Sequence, residues 1–115
     1  MRRGDIYYAD LVPRSGSEQT GRRPVIVLSH DAFNQIPTWQ SIIVIPLSTS
    51  HAQSNRGPTA VPVPKGSGGL DRDSVALCHQ VTTLDRSKLS RRLGALDSDA
   101  LRRVEAGVKA AMALT

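Results

Sequence analysis

Two segments of this chain carry side chains able to handle a phosphate. The first runs Gly16-Ser17-Glu18-Gln19-Thr20-Gly21-Arg22-Arg23-Pro24. Its two glycines allow close backbone approach, Glu18 and Gln19 offer acceptors and donors, and the paired arginines arrive at the start of a strand. The second is Ser48-Thr49-Ser50, three hydroxyls directly after the apolar Ile45-Pro46-Leu47. Taken alone, the first reads equally well as a hairpin loop with solvated arginines, and the second as a polar strand end. Beside an arginine the three hydroxyls could hold a phosphate, and cutting RNA without a metal requires three things. A group must take the 2′-hydroxyl proton, a cation must stabilise the crowded phosphorane, and an acid or water must meet the leaving 5′-oxygen.

Other chemistries lose weight on spacing. The histidines stand at 30, 51 and 79 with Cys78 beside the last, and no C-x-x-C or H-x-x-x-H pattern joins them, so no metal site is expected. Asp71 and Asp73 flank Arg72 in a stretch, Gly66 to Asp73, that reads as a turn entering a strand. Cys78 and His79, as neighbours on a strand, would point to opposite faces, which makes Cys78 a small core residue rather than half of a thiolate pair. There is no G-x-S-x-G elbow, no G-x-x-x-x-G-K-[ST] loop and no dinucleotide fingerprint. No cofactor is expected.

The elements that must position these groups belong to one small domain, residues 1–115. Ile, Leu, Val and Phe make up 28 of the 115 residues, enough for an aliphatic core. The longest apolar stretches, such as Ile42 to Leu47, are far too short to cross a membrane, and Arg2-Arg3 is followed by Gly4-Asp5 rather than by an apolar segment. A soluble protein without a secretory signal or membrane partner is expected, and the single cysteine suits a reducing cytoplasm. Of the 15 basic residues 12 are arginine, against 10 acidic ones; the net charge of +5 and a pI near 10.1 favour a polyanionic partner.

Short β-branched runs predict strands at Ile6 to Leu11, Pro24 to Ser29, Ser41 to Leu47, Ala60 to Pro64, Ser74 to Cys78 and Arg91 to Leu96. Pro24 is expected to open its strand rather than sit inside it, and Pro62 and Pro64 place theirs at a sheet edge. Val12 to Arg23 forms a long loop, and Ser50 to Pro58 lacks periodicity and is expected to be mobile. Asp31 to Asn34 can form one helical turn capped by Asp31. Asp97 or Ser98 can cap a terminal helix that buries Leu101, Val104, Val108, Ala111 and Met112 as one stripe. The fold class is α+β and mainly β: a small barrel or strongly curved antiparallel sheet with a helix packed on it.

The run Arg3-Gly4-Asp5-Ile6-Tyr7-Tyr8-Ala9-Asp10-Leu11, then Gly16-Ser17-Glu18-Gln19, then Arg23-Pro24-Val25-Ile26-Val27 closely resembles the opening of the MazF/PemK family of toxin endoribonucleases. The likeness continues through Ile45-Pro46-Leu47-Ser48, Asp73-Ser74-Val75 and Gln80-Val81-Thr82-Thr83-Leu84-Asp85 into the terminal helix. The resemblance implies a homodimer of SH3-like β-barrel subunits that cuts single-stranded RNA at short sequences without a metal, leaving a 2′,3′-cyclic phosphate and a 5′-hydroxyl. Such toxins inhibit translation and growth and are neutralised by a cognate acidic antitoxin. The family's key arginine falls on Arg23, and its catalytic threonine falls on Ser48, with Thr49 one step later. RNA-binding roles fall on Ser17, Glu18, Gln19, Thr49 and Gln80.

Another branch of the family uses a loop histidine with an arginine and an aspartate on a late strand. Those positions here read Ser17, Leu77 and His79, so that scheme is missing, although His79 puts an imidazole in the carboxylate's place. The alternative reading is a non-catalytic toxin of the same fold that binds a protein such as DNA gyrase. Toxins of that kind use a tail of the Trp-Gly-Ile type, whereas this chain's one tryptophan is Trp39.

Overall fold

The structure is a computed structural model, and it describes residues 1–11, 21–49 and 57–114. Seven strands and two helices follow in the order β1 (Asp5–Leu11), β2 (Gly21–Val27), α1 (Asp31–Asn34), β3 (Ser41–Ser48), β4 (Ala60–Val63), β5 (Ser74–Leu77), β6 (Thr82–Asp85), β7 (Leu89–Ala95) and α2 (Ser98–Met112). The strands pair in the order β4-β5-β3-β2-β1-β7, with β6 also on β3, and every pairing is antiparallel.

The chain itself forces this sheet to curl. Strands β6 and β7 are the outer strands of the run β6-β3-β2-β1-β7, yet only Arg86–Lys88 separate them. Four residue steps of at most about 3.6 Å reach roughly 14 Å, whereas the outer strands of a flat five-stranded sheet would lie about 19 Å apart at ~4.8 Å per step. The sheet therefore bends around Ala9, Leu11, Val25, Val27, Ile42 and Val44, and half-buried Tyr7, Leu84 and Leu89 help to close this inner core. The expected barrel is thus a curled sheet with open ends, since among the described residues β4 and β7 end the path without pairing with each other.

Strand alternation sends Ile6, Ile26, Ile45 and Leu47 to the other face, where Val61, Val63, Ala100 and Val104 cover them. Because β3 serves both cores, its run from Val44 to Ser48 is buried without a break. Helix α2 starts where the Asp97 side chain accepts from Ala100 N at 2.8 Å, and Val104 is its deepest residue. A Cβ at Gly107 would sit 2.7 Å from Cys78 Sγ and 2.8 Å from Val61 Cγ2, so this glycine sets how closely the helix approaches the sheet. Of the expected stripe, Leu101, Val108 and Ala111 are half-buried, while Met112 is 55% exposed at the last position of the helix.

Several expectations need correction. Thr82–Asp85 forms a strand that the pattern did not announce, because four residues with only Leu84 apolar carry little periodicity. The cap of α1 is His30, whose Nδ1 accepts from Ala32 N at 2.8 Å, while Asp31 instead accepts from Arg3 N at 2.7 Å. That bond, more than any other influence, holds the Asp31 carboxyl below its usual range. Pro24 lies in the middle of β2 rather than at its start; only β1 flanks Gly21–Pro24 there, since β3 joins from Val25 onward. Pro46 falls where one edge of β3 passes from β6 to β5, a position where a residue without an N–H interrupts no pairing on that edge. Strand β4, with Pro62, is an edge strand as expected. Residues 50–56 of the expected mobile segment lie outside the described residues, and Gly57–Thr59 forms a 3-10 turn.

Arg86 stabilises the link that closes the curl. Its Nε donates to Trp39 O at 2.8 Å, its Nη2 donates to Asn34 O at 2.9 Å and Ile36 O at 3.0 Å, and its backbone N donates to Gln40 O at 2.7 Å. A lysine cannot reproduce this fork. Arg86→Lys should lower unfolding free energy by about 2–4 kcal/mol, measured by urea denaturation; a change within error would show that the carbonyls are as well served by water.

Candidate active site

The site is built from the ends of three neighbouring strands. Val25 of β2 pairs with Pro46 of β3 as the last pair of that ladder, so Arg23 and Ser48 each lie two residues beyond it on neighbouring strands. Ser48 in turn pairs with Val75 of β5, and Arg23 pairs with Ala9 of β1. Arg23 is exposed at the rim of the sheet, Ser48 is 4% exposed, and Thr49 lies just past β3 and is exposed. The two sequence segments singled out for phosphate chemistry thus end at one rim.

Gln80 ends the 3-10 turn Cys78–Gln80, which joins β5 to β6 beside the Ile45–Pro46 gap on β3, and it is half-buried. Ser17, Glu18 and Gln19 lie outside the described residues. His79 is exposed, and its Nδ1 shares a 2.7 Å hydrogen bond with Thr59 Oγ1. Asp73 Oδ1 accepts from Lys65 N at 2.8 Å, the capping role of a turn residue. Among the described residues no three His, Cys, Asp or Glu side chains converge on one point.

Away from this rim, a cavity of about 440 Å³ is lined by Met1, Arg2, Asn34, Gln35, Pro37 and Arg86. It lies by the start of β3, whereas Ser48 ends that strand; eight strand residues put roughly 23 Å between the two. Sequence reasoning passed over Arg86, which no motif marks, and also over the neighbours of Arg22. That guanidinium lies over the Tyr8 ring, 5.0 Å from its centroid. The alternation of Tyr8 and Asp10 with the buried Ala9 and Leu11 was the signal that Tyr8 and Arg22 share a face.

A curled antiparallel sheet with a covering helix defines the class, a small mainly-β protein with an arginine and two hydroxyls at neighbouring strand ends. The chain belongs to the family described as PemK-like, MazF-like toxin of type II toxin-antitoxin system, whose model matches residues 2–112. It is 35% identical over 114 residues to Endoribonuclease MazF of Staphylococcus saprophyticus, covering 99% of this chain and 92% of the relative. The MazF crystal structure (Form-I) from Deinococcus radiodurans matches at 25% identity with a TM-score of 0.80, covering 99% of this chain and 97% of that one. A MazE-MazF crystal structure (Form-II) from the same organism matches with a TM-score of 0.75 and 25% identity over all of this chain and 97% of that one.

Cys78 and His79 diverge as expected, although they do so from a 3-10 turn rather than a strand. The Cys78 thiol is fully buried, lies 3.6 Å from Val104 O, and burial pushes its pKa up to about 11. At pH 8 the native thiol should be alkylated about a hundredfold more slowly than in the denatured chain, because far less thiolate is present. Mass spectrometry after timed iodoacetamide treatment measures this, and equal rates would contradict the buried assignment.

Proposed function

We propose that this chain is an endoribonuclease toxin that cuts single-stranded RNA by internal transesterification without a metal and so inhibits translation and growth. What supports the reading is the position of Arg23 and Ser48, each two residues past the Val25–Pro46 pair on neighbouring strands, in a chain 35% identical to Endoribonuclease MazF. In the reaction the 2′-oxygen bonds to phosphorus as its proton leaves, and the P–O5′ bond breaks as the 5′-oxygen gains a proton. The products are a 2′,3′-cyclic phosphate and a 5′-hydroxyl. Arg23 stabilises the charge that builds on the phosphorane oxygens, and Ser48, held nearly out of solvent, orients the phosphate. Thr49, Gln80, Ser17, Glu18 and Gln19 hold the flanking nucleotides.

Residues 1–115 act as a single toxin domain, in the cytoplasm and as a homodimer. Apolar surface left on Phe33, Ile36, Trp39, Ile43, Met112 and Leu114 supports burial against a second copy. The partner that silences the toxin is an acidic, partly disordered antitoxin segment; the +5 charge, the family description and the MazE-MazF structure support this.

Purified protein should cut single-stranded RNA in EDTA, and Arg23→Ala should lower the rate by ~10²-fold or more. Ser48→Ala should cost less. A greater loss from Thr49→Ala would move the functional hydroxyl by one residue, whereas full cutting by Arg23→Ala would overturn the site.

A further inference from the structure

Arg22 and Arg23 are neighbours on β2, so their side chains leave the sheet on opposite faces. Arg23 shares a face with Ala9 and Val25, and Arg22 shares the other with Tyr8 and Pro24. Across from Arg22 in register stands Asp10, yet among the described residues the two form no ion pair. The Arg22 guanidinium instead lies over the Tyr8 ring at 5.0 Å and donates to Ser90 Oγ at 3.4 Å, and Ser90 Oγ donates to Tyr8 O at 3.3 Å. A register shift of β7 between Tyr8 and Ala9 brings Ser90 there. Directly across from Tyr8 on β7 is Arg91, exposed and in no ion pair among the described residues.

This arrangement has the parts of a nucleotide-stacking site. An arginine lying on an aromatic ring is held flat and keeps its outer face for a base, while its N–H edges remain available for hydrogen bonds. Arg91, on β7 directly across from Tyr8 and two strands from Arg22, adds a second cation on this face. The surface stands at the same rim as Arg23, on the opposite face of the same strand, where only β1 flanks β2 among the described residues.

We propose that Tyr8, Arg22 and Arg91 form a ledge that takes a nucleotide of single-stranded RNA flanking the scissile bond, its base stacked on the Arg22 guanidinium and its phosphate held by Arg91. The proposal rests on the endoribonuclease reading for its ligand. The Arg22–Tyr8 stack is in place before the RNA arrives, so contact with the base orders little further and adds affinity without regard to sequence.

The test measures binding and cutting separately. Oligonucleotides of roughly four, eight and twelve nucleotides, spanning the ~4–16 nucleotide site sizes of single-strand binders, are prepared with 2′-O-methyl sugars, which internal transesterification cannot cut, and as RNA. Binding is followed by fluorescence anisotropy. In wild type, affinity should rise with length; in Arg22→Gln, Arg91→Gln and Tyr8→Leu the gain from the shortest to the longest should shrink about tenfold. Arg91→Gln should also flatten the salt dependence by about one phosphate contact. Circular dichroism checks folding, and the two arginine variants, altered only at exposed positions, decide the matter should Tyr8→Leu fail to fold. Equal losses at every length, or no loss, would overturn the ledge. So would unchanged RNA binding together with weakened binding of a polyglutamate peptide, which would assign the surface to an acidic protein. Failure of wild type to cut the RNA series, with the length-dependent binding intact, would count against the endoribonuclease reading while leaving the ledge supported.

Discussion

The short connection between β6 and β7 is the constraint on which the rest of the molecule depends. Three residues cannot span the width of a flat five-stranded sheet, so β3 and β1 are drawn toward one another and the sheet wraps its inner core. Arg86, within that connection, ties it to the carbonyls of Asn34, which ends α1, and of Ile36 and Trp39, which follow it. One side chain thus holds the link, the helical turn and the approach to β3 together. Hydrogen bonds from a charged donor to carbonyls that no helix satisfies are among the stronger ones available to a small domain.

The curl also decides where polar chemistry can sit. With both faces of β3 committed to apolar cores, charged and hydroxyl groups are left to strand ends, and the register gathers Arg23, Ser48 and Thr49 at the same rim. Buried polar groups elsewhere are satisfied locally. Ser29 and Asn34 bond each other, and Asp5, 4% exposed, accepts from Arg2 N at 2.9 Å and pairs with Arg92. These contacts make the frame rigid without drawing on the arginines of the rim.

Much of this was legible beforehand. Six of the seven strands among the described residues were announced by apolar runs, the helix cap at Asp97 or Ser98 by its place before the terminal stripe, and the edge character of β4 by Pro62. What escaped was set by pairing rather than by pattern. The strand at Thr82–Asp85 exists because Ser41–Val44 offers it a free edge, and Pro24 is tolerated inside β2 because β3 joins only after it. His30 takes the cap from Asp31 because Arg3, distant in sequence, claims the carboxylate. For the site, residue types singled out Arg23 and the hydroxyls at 48 and 49, but only the pairing of Val25 with Pro46 shows that their strands are neighbours there. The Arg22–Tyr8 stack needed the alternation of faces to be read across three strands at once.

The central claim is that Arg23 and Ser48 act on one phosphate. A double-mutant cycle on RNA cutting in EDTA, comparing Arg23→Ala, Ser48→Ala and the pair, tests it most directly. If both groups serve the same phosphorane, the double variant should be little slower than Arg23→Ala alone. Losses that multiply would mean that the two residues work independently, and would contradict the account.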